Sequence, residues 1–260
     1  MAFERRSLGH RGHVLVSTTL ERVGFLAAFT ERTGGTSSKP FDSLNLSFAV
    51  EDDDERVRTN RARVLAGLDV APFATAEQVH GANAVRVGTK RAGAGFDDLG
   101  SRIPRADVLF TASAGLPLAV LTADCMPMVF ASPAAGVVVV VHAGWRGIAS
   151  GVIPRAAALF DEASDVRVAI GPAIGPDHYE VKEDVALAVA SASEAGTVTD
   201  RRGGKLYLDL PATVRAHLKA LGIRKVEDTG LCTACERARF FSHRRDHGHT
   251  GRQAGIAVRL

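Results

Sequence analysis

Residues 117–130, PLAVLTADCMPMVF, and 136–144, GVVVVVHAG, are two apolar stretches joined through the turn SPAAG. Five successive valines cannot alternate between a wet and a dry face, so a strand made of them must be covered on both sides. That requires layers above and below a central sheet, which makes an α/β class the first expectation. Asp124, Pro117, Pro127 and Pro133 interrupt the region, so a membrane-spanning helix is a poor reading of it. The valine run stops on His142, then Gly144, the only tryptophan (Trp145) and Arg146. Reactive groups at the end of a rigid strand, with glycines that allow close backbone approach, read as a site mounted on a scaffold.

The chain has 260 residues, 46% of them hydrophobic, enough for a sizeable core. Its 32 Lys and Arg against 29 Asp and Glu leave a net charge of +3, with the signs mixed along the chain. That excess argues against a nucleic acid partner and leaves room for a small anionic substrate held by local arginines. Cysteines Cys125, Cys232 and Cys235 are odd in number, and MAFERRSLGHRGH lacks the apolar core of a secretory signal. The expectation is a cytoplasmic protein with reduced thiols and no membrane association.

HVLVSTTL and GFLAAFT read as strands. A helix follows, capped by Asp52 or Asp53, with Val57, Val64, Leu65 and Leu68 on one face and Gly67 at its end. EQVHGANAVRVG reads as a strand interrupted near His80, and PLAVLTADCMPMVF as one β segment with Asp124 and Cys125 between its halves. After Trp145 comes a helix that Pro154 kinks or restarts. VRVAIGP is a buried strand; EDVALAVASAS and LPATVRAHLKALG are helices, the second capped by Asp209 with Pro211 in its first turn. The strands IRKVED and AGIAVRL flank a polar tail, CTACERARFFSHRRDHGHTGR. With no internal repeat or linker, residues 1–260 read as a single α/β domain of mixed β-sheets covered by helices.

His80, Asp124, Cys125 and His142 all fall at breaks or ends of apolar strands. Two histidines and a cysteine are three protein ligands, the number that leaves a tetrahedral zinc with one open position, although their spacing matches no compact metal motif. The same residues also suit a Cys125 nucleophile activated by His142 or His80. Geometry at the sulfur discriminates: zinc needs both imidazoles there, a nucleophile needs one imidazole and a separate orienting group. A non-catalytic zinc module is a third reading, which any turnover excludes. Copper is poorly supplied, since nine histidines include one H-x-H pair, His247 and His249, where a multicopper centre needs several. Cys232-x2-Cys235 with His243 and His247 looks like a zinc finger, but too few residues separate Cys235 from His243. Arg244 and Arg245 offer forked donors for phosphate or carboxylate.

FTERTGG, SLNLS, NRARVL, EQVHG, TADCMP, HAGWRG, AIGPAIG, YEV, LDL, CTAC, FFSHRRD and TGR occur in this order from about Phe29 to the C-terminus. In this the chain resembles the YfiH-like laccase-domain family, which carries an old label of polyphenol oxidase. The resemblance implies a purine nucleoside enzyme that phosphorolyses adenosine, guanosine, inosine and methylthioadenosine and deaminates adenosine. It implies zinc ligands at His80, Cys125 and His142, the residues the strand breaks also single out. It implies a fold like that of necrotizing-factor toxins and related cysteine hydrolases, an α+β-like arrangement that keeps open a Cys125 hydrolase or amidase acting on, for example, a cell-wall precursor. Two departures are Pro154, where members continue a helix, and a tail richer in histidine, which leaves open an extra metal contact. On the nucleoside reading, Asp124 is a candidate proton carrier and Arg146 with Arg244 or Arg245 a candidate phosphate site. Asn45, Arg61 and Gln78 are candidate substrate contacts.

Overall fold

The computed structural model describes residues 2–260. Phe3–Gly9 (β1) and Gly12–Ser17 (β2) form a hairpin, followed by the short helix Thr18–Glu21 (α1) and Phe25–Thr30 (β3). A long loop leads to Asp54–Leu68 (α2), then to Ala84–Arg86 (β4), Val108–Thr111 (β5), Leu118–Thr122 (β6), Met126–Ser132 (β7) and Val137–Ala143 (β8). Trp145–Ala149 (α3), Val152–Ala157 (α4), Arg167–Ile170 (β9), Glu180–Val181 (β10) and Glu183–Ala190 (α5) come next. Thr199–Arg202 (β11), Lys205–Leu208 (β12), Leu210–Ala220 (α6), Lys225–Asp228 (β13) and Gln253–Arg259 (β14) complete the chain.

One sheet has the order β1-β2-β3-β14-β6 and is antiparallel throughout. A second, β13-β9-β7-β8-β5-β4, mixes parallel edge pairs with an antiparallel centre, and a small sheet runs β10-β12-β11. The two large sheets stack face to face. Val138 and Val140 pack with Phe29, Leu118 and Val120 of the five-stranded sheet, while Val139 and Val141 pack with Ile148, Ile153, Val214 and Leu218 of the helices beyond. All four valines are fully buried, each worth about 1.5 to 3 kcal/mol of transfer energy, which is why the run is continuous. On the outer face of the five-stranded sheet, Val64 of α2 joins Val14, Val16, Ala28 and Ile256. The chain is therefore a mixed α/β domain layered helix, sheet, sheet, helix.

Several elements differ from expectation. PLAVLTADCMPMVF is two strands in different sheets, and Ala123-Asp124-Cys125 is the corner between them, with Asp124 at φ 87°. EQVHG is loop, with β4 forming only beyond it. Asp53 caps α2, as one of the two expected residues, but its end lies at Asp69 in the left-handed region rather than at Gly67. Gly67 instead admits β1: a Cβ there would sit 2.6 Å from Leu8 Cδ2. β1 itself, FERRSLG, is too polar to signal a strand; it pairs as an edge, with Arg5 bonded to Glu31 and Arg6 to Glu21. Pro154 sits in the first turn of α4, a restart after Gly151 at φ 82°. No described helix is long and apolar enough to cross a membrane.

Candidate active site

Three strands of the six-stranded sheet bring the reactive residues to one end. In the β7/β8 ladder Met126 pairs with Ala143, so Cys125, just before β7, lies across from the residues that follow β8. In the β5/β8 ladder Val108 pairs with Val141, which sets Asp107 beside His142. His142 donates its backbone N–H to Asp107 O at 2.8 Å. His80 arrives from the loop before β4, held in the left-handed region at φ 59°.

Asp107, fully buried, is the hub. Its carboxylate accepts the backbone N–H groups of Val79 (3.1 Å), His80 (3.0 Å) and Gly81 (2.8 Å), which folds the His80 loop around it. It also lies 2.7 Å from His142 Nδ1. A carboxylate can only accept, so Nδ1 carries the proton and Nε2 is left facing Cys125. The ring centroids of His80 and His142 are 4.7 Å apart at 72°, and the ligand atoms of His80, Cys125 and His142 lie within 4.8 Å of one another. Burial opposes charge on both Cys125 and His142, but each stabilises the other. His142 and His80 bring the Cys125 thiol down to about 6; Cys125 and Asp107 bring His142 up to about 9. Burial likewise opposes charge on Asp107, yet its bonds to His142 and to the backbone amides hold it below the ordinary carboxylate value.

Gly144 leaves the space this cluster occupies. A Cβ there would lie 2.9 Å from Cys125 Sγ and 3.1 Å from His80 Cδ2. A thiolate and two imidazoles, with a carboxylate, Asp107, that fixes one imidazole's tautomer in the supporting role, make a donor set suited to zinc.

The cluster opens into a cavity of about 510 Å3. Arg146 lines it, its guanidinium 4.5 Å from the centre of the Trp145 ring and, among the described residues, free of hydrogen bonds and ion pairs. Arg244 lines it too, held by the carbonyls of His178 (3.1 Å) and Glu180 (3.0 Å) and lying over Tyr179. Asp124 is at the wall, its oxygens accepting from Thr233 Oγ1 and Arg244 N, both at 2.6 Å. Gln78 lines the cavity and clamps Leu121 by both backbone groups at 2.8 Å, holding the end of β6. Arg61 reaches the wall, but three of its N–H groups go to Leu46 O, Gly95 O and Phe96 O, and burial lowers its pKa to about 9.

Two expected contacts lie elsewhere. Arg245 is bonded to Asp246 and to the carbonyls of Thr233 and Phe240, away from the cavity wall. Asn45 is fully buried; it donates to Ser47 O and Asp52 and accepts the N–H of Arg252. Neither is on the cavity wall, and the polar atoms of both are bonded within the protein, where they organise loops. Arg252, in the motif TGR, also lines the cavity. Burial lowers its pKa, while Cys125 and Asp124 pull the other way. Tyr179 lines the cavity as well, its phenol pushed up by burial. Asp107, Tyr179 and Arg252 carry no role in the sequence reading; a lone carboxylate immediately before the apolar VLF was the available signal for Asp107.

The family described as multi-copper polyphenol oxidoreductase laccase matches residues 26–259. A relative from Geobacillus stearothermophilus, named purine nucleoside phosphorylase YlmD, is 39% identical over 249 residues, covering 91% of each chain. Purine nucleoside phosphorylase YfiH of Escherichia coli is 34% identical over 236 residues, covering 90% of this chain and 93% of that protein. The crystal structure of the Geobacillus stearothermophilus YlmD superposes with a TM-score of 0.93 at 37% identity, covering 99% of this chain and 98% of that one.

Proposed function

The chain belongs to the YfiH-like laccase-domain family, and from that premise we propose that it is a zinc-dependent purine nucleoside phosphorylase that also deaminates adenosine. The observation that carries this reading is one cavity that joins the His80, Cys125 and His142 cluster to Arg146, Arg244 and Arg252. Its volume, about 510 Å3, is in the range of small-molecule sites and suits a nucleoside with phosphate. Trp145, Tyr179, Phe48 and Ile174 offer flat or apolar wall to a base, and the arginines offer donors to an anion.

In phosphorolysis a phosphate oxygen forms a bond to the ribose anomeric carbon as the bond to the purine breaks, its electron pair leaving with the base. Arg146, which lies on the Trp145 ring and is free of hydrogen bonds and ion pairs among the described residues, and Arg244, preorganised by two carbonyls, hold the phosphate against the positive charge that grows on the sugar. Asp124, fixed by Thr233 and the Arg244 amide with a lone pair left on each oxygen, is placed to carry the proton the departing purine needs. Zinc, when bound by His80, Cys125 and His142, supplies a Lewis acid facing the cavity. A thiolate with two imidazoles can hold zinc or copper; zinc is the metal proposed, because nine histidines with one H-x-H pair do not furnish the multicopper centre of the family's description. The substrates assigned are adenosine, inosine, guanosine and methylthioadenosine, in a single cytoplasmic catalytic domain; in the deamination of adenosine, water adds instead to the purine ring carbon that bears the amino group, whose C–N bond then breaks to release ammonia.

A second reading has a specific observation behind it. Cys125, His142 and Asp107 are aligned as nucleophile, base and orienting acid, the arrangement of a cysteine hydrolase or amidase. His80 on the same sulfur is superfluous to that triad and necessary to a metal site, which favours the first reading. Incubating the zinc-loaded protein with a nucleoside panel, with and without phosphate, and separating the products by chromatography tests the choice. Free purine that depends on phosphate supports phosphorolysis; no nucleoside turnover, with hydrolysis of an amide or thioester substrate, supports the triad.

A further inference from the structure

Behind the loop that carries Tyr179, a second set of metal-type side chains converges. His178, Cys232 and Cys235 place their ligand atoms within 4.8 Å of one another, and His178 Nε2 is 3.1 Å from Cys235 Sγ. The cysteines come from the CTAC stretch of the tail, whereas the histidine comes from the loop between β9 and β10, 57 residues earlier than Cys235. Neither His243 nor His247, the partners the spacing suggested, belongs to the group; His243 lines the catalytic cavity instead.

The backbone around the sulfurs is arranged for them. Cys232 Sγ accepts the Gly175 N–H at 3.2 Å and the Cys235 N–H at 3.5 Å, which fixes the sulfur between the two segments. The approach depends on glycine, because a Cβ on Gly175 would lie 3.2 Å from Cys232 Cβ and 3.3 Å from its Sγ. Ala173 locks the two segments in register, donating to Leu231 O and accepting from Thr233 N. Both cysteines are free thiols. Beside them is a cavity of about 290 Å3 whose wall includes Asp177, Asp209 and Asp228; Asp177 is paired with Arg202, Asp228 with Arg215, and Asp209 caps α6.

We propose that His178, Cys232 and Cys235 form a second zinc site, separate from the catalytic cluster and structural in role, with a solvent ligand completing the tetrahedron. On binding, the two thiols release their protons and the imidazole binds through Nε2. The site ties the 175–181 loop to the tail, and that loop supplies Tyr179 and the two carbonyls that hold Arg244. Zinc here therefore braces one wall of the catalytic cavity without touching substrate. The proposal stands whether the cavity phosphorolyses nucleosides or hydrolyses amides.

The test uses the full chain in reductant, prepared metal-free and then loaded with zinc. Elemental analysis after desalting should give two zinc per wild-type chain and one in the Cys232→Ser/Cys235→Ser variant. In a Cys125→Ala background, which removes the catalytic cluster from consideration, iodoacetamide labelling mapped by mass spectrometry should show Cys232 and Cys235 alkylated about tenfold more slowly with zinc than without. His178→Ala should remove most of that protection. Equal labelling with and without zinc, equal zinc content in wild type and double variant, or oxidation to a Cys232–Cys235 disulfide that added zinc does not prevent would each overturn the site. The labelling result does not require the double variant to fold.

Discussion

Replacing Asp107 by Asn keeps the shape of the side chain and removes its ability to accept hydrogen bonds on both sides. In the native site one oxygen receives His80 N and His142 Nδ1, and the other receives Val79 N and Gly81 N. An amide can satisfy one side only. If its oxygen keeps His142, its NH2 group faces two backbone donors, and each buried donor left unsatisfied costs about 1 to 3 kcal/mol. The variant should therefore be less stable by about 2 to 6 kcal/mol. If the amide flips, the same conflict moves to His142, and the ring loses the bond that fixes its tautomer. Partners of metal-bound histidines of this kind are worth on the order of 10- to 100-fold in metal affinity. Urea unfolding of the metal-free protein reads the first effect, and competition for zinc against a chromophoric chelator reads the second. Unchanged stability together with zinc affinity within about threefold of wild type would refute the assignment of Asp107 as the hub.

Gly144→Ala should cost zinc affinity more than folding stability, since its Cβ meets Cys125 Sγ at 2.9 Å and His80 Cδ2 at 3.1 Å; zinc content and thermal unfolding of the same preparation check it. In the metal-free protein the Cys125 thiolate, stabilised by His142 and His80, should persist down to about pH 6 and be lost as pH falls through that value, so its alkylation rate should have its midpoint there. A midpoint near the ordinary thiol value of about 8.5 would contradict the pairing. Arg146→Ala should lower phosphorolysis by about 10- to 100-fold, the worth of one charge-assisted contact of about 1.5 to 3 kcal/mol. Adenosine deamination, which uses no phosphate, should fall less; equal losses on the same folded, zinc-loaded variant would mean that Arg146 only braces its loop.

Cys125 and His142 are legible in sequence because each bounds an apolar strand that has no packing reason to carry a polar residue, whereas His80 is picked out by the same reading from a stretch, EQVHG, that is loop. The same logic finds the β7/β8 hairpin, since continuous valine has only one kind of environment that fits it. It fails at the Asp124 corner: apolar strands on either side look alike in sequence, and nothing local says that β6 and β7 belong to different sheets. Arg245 and Asn45 show a different limit. Side-chain type announces the capacity to bind phosphate or substrate, but the carbonyls and carboxylates that absorb that capacity come from distant segments, as Thr233 and Phe240 do for Arg245. Asp107 escapes for the converse reason, because its importance lies in four donors gathered by the fold. The CTAC motif was visible, but its histidine partner, His178, lies 57 residues from Cys235, beyond any local spacing rule.

Phosphorus NMR of zinc-loaded protein with inosine and inorganic phosphate most directly tests the proposed activity. The expected result is a ribose 1-phosphate resonance that grows as phosphate is consumed, in equal molar amount to free hypoxanthine, and that is abolished in His142→Ala. Release of hypoxanthine without loss of phosphate, or no cleavage of any purine nucleoside by protein carrying full zinc, would contradict it.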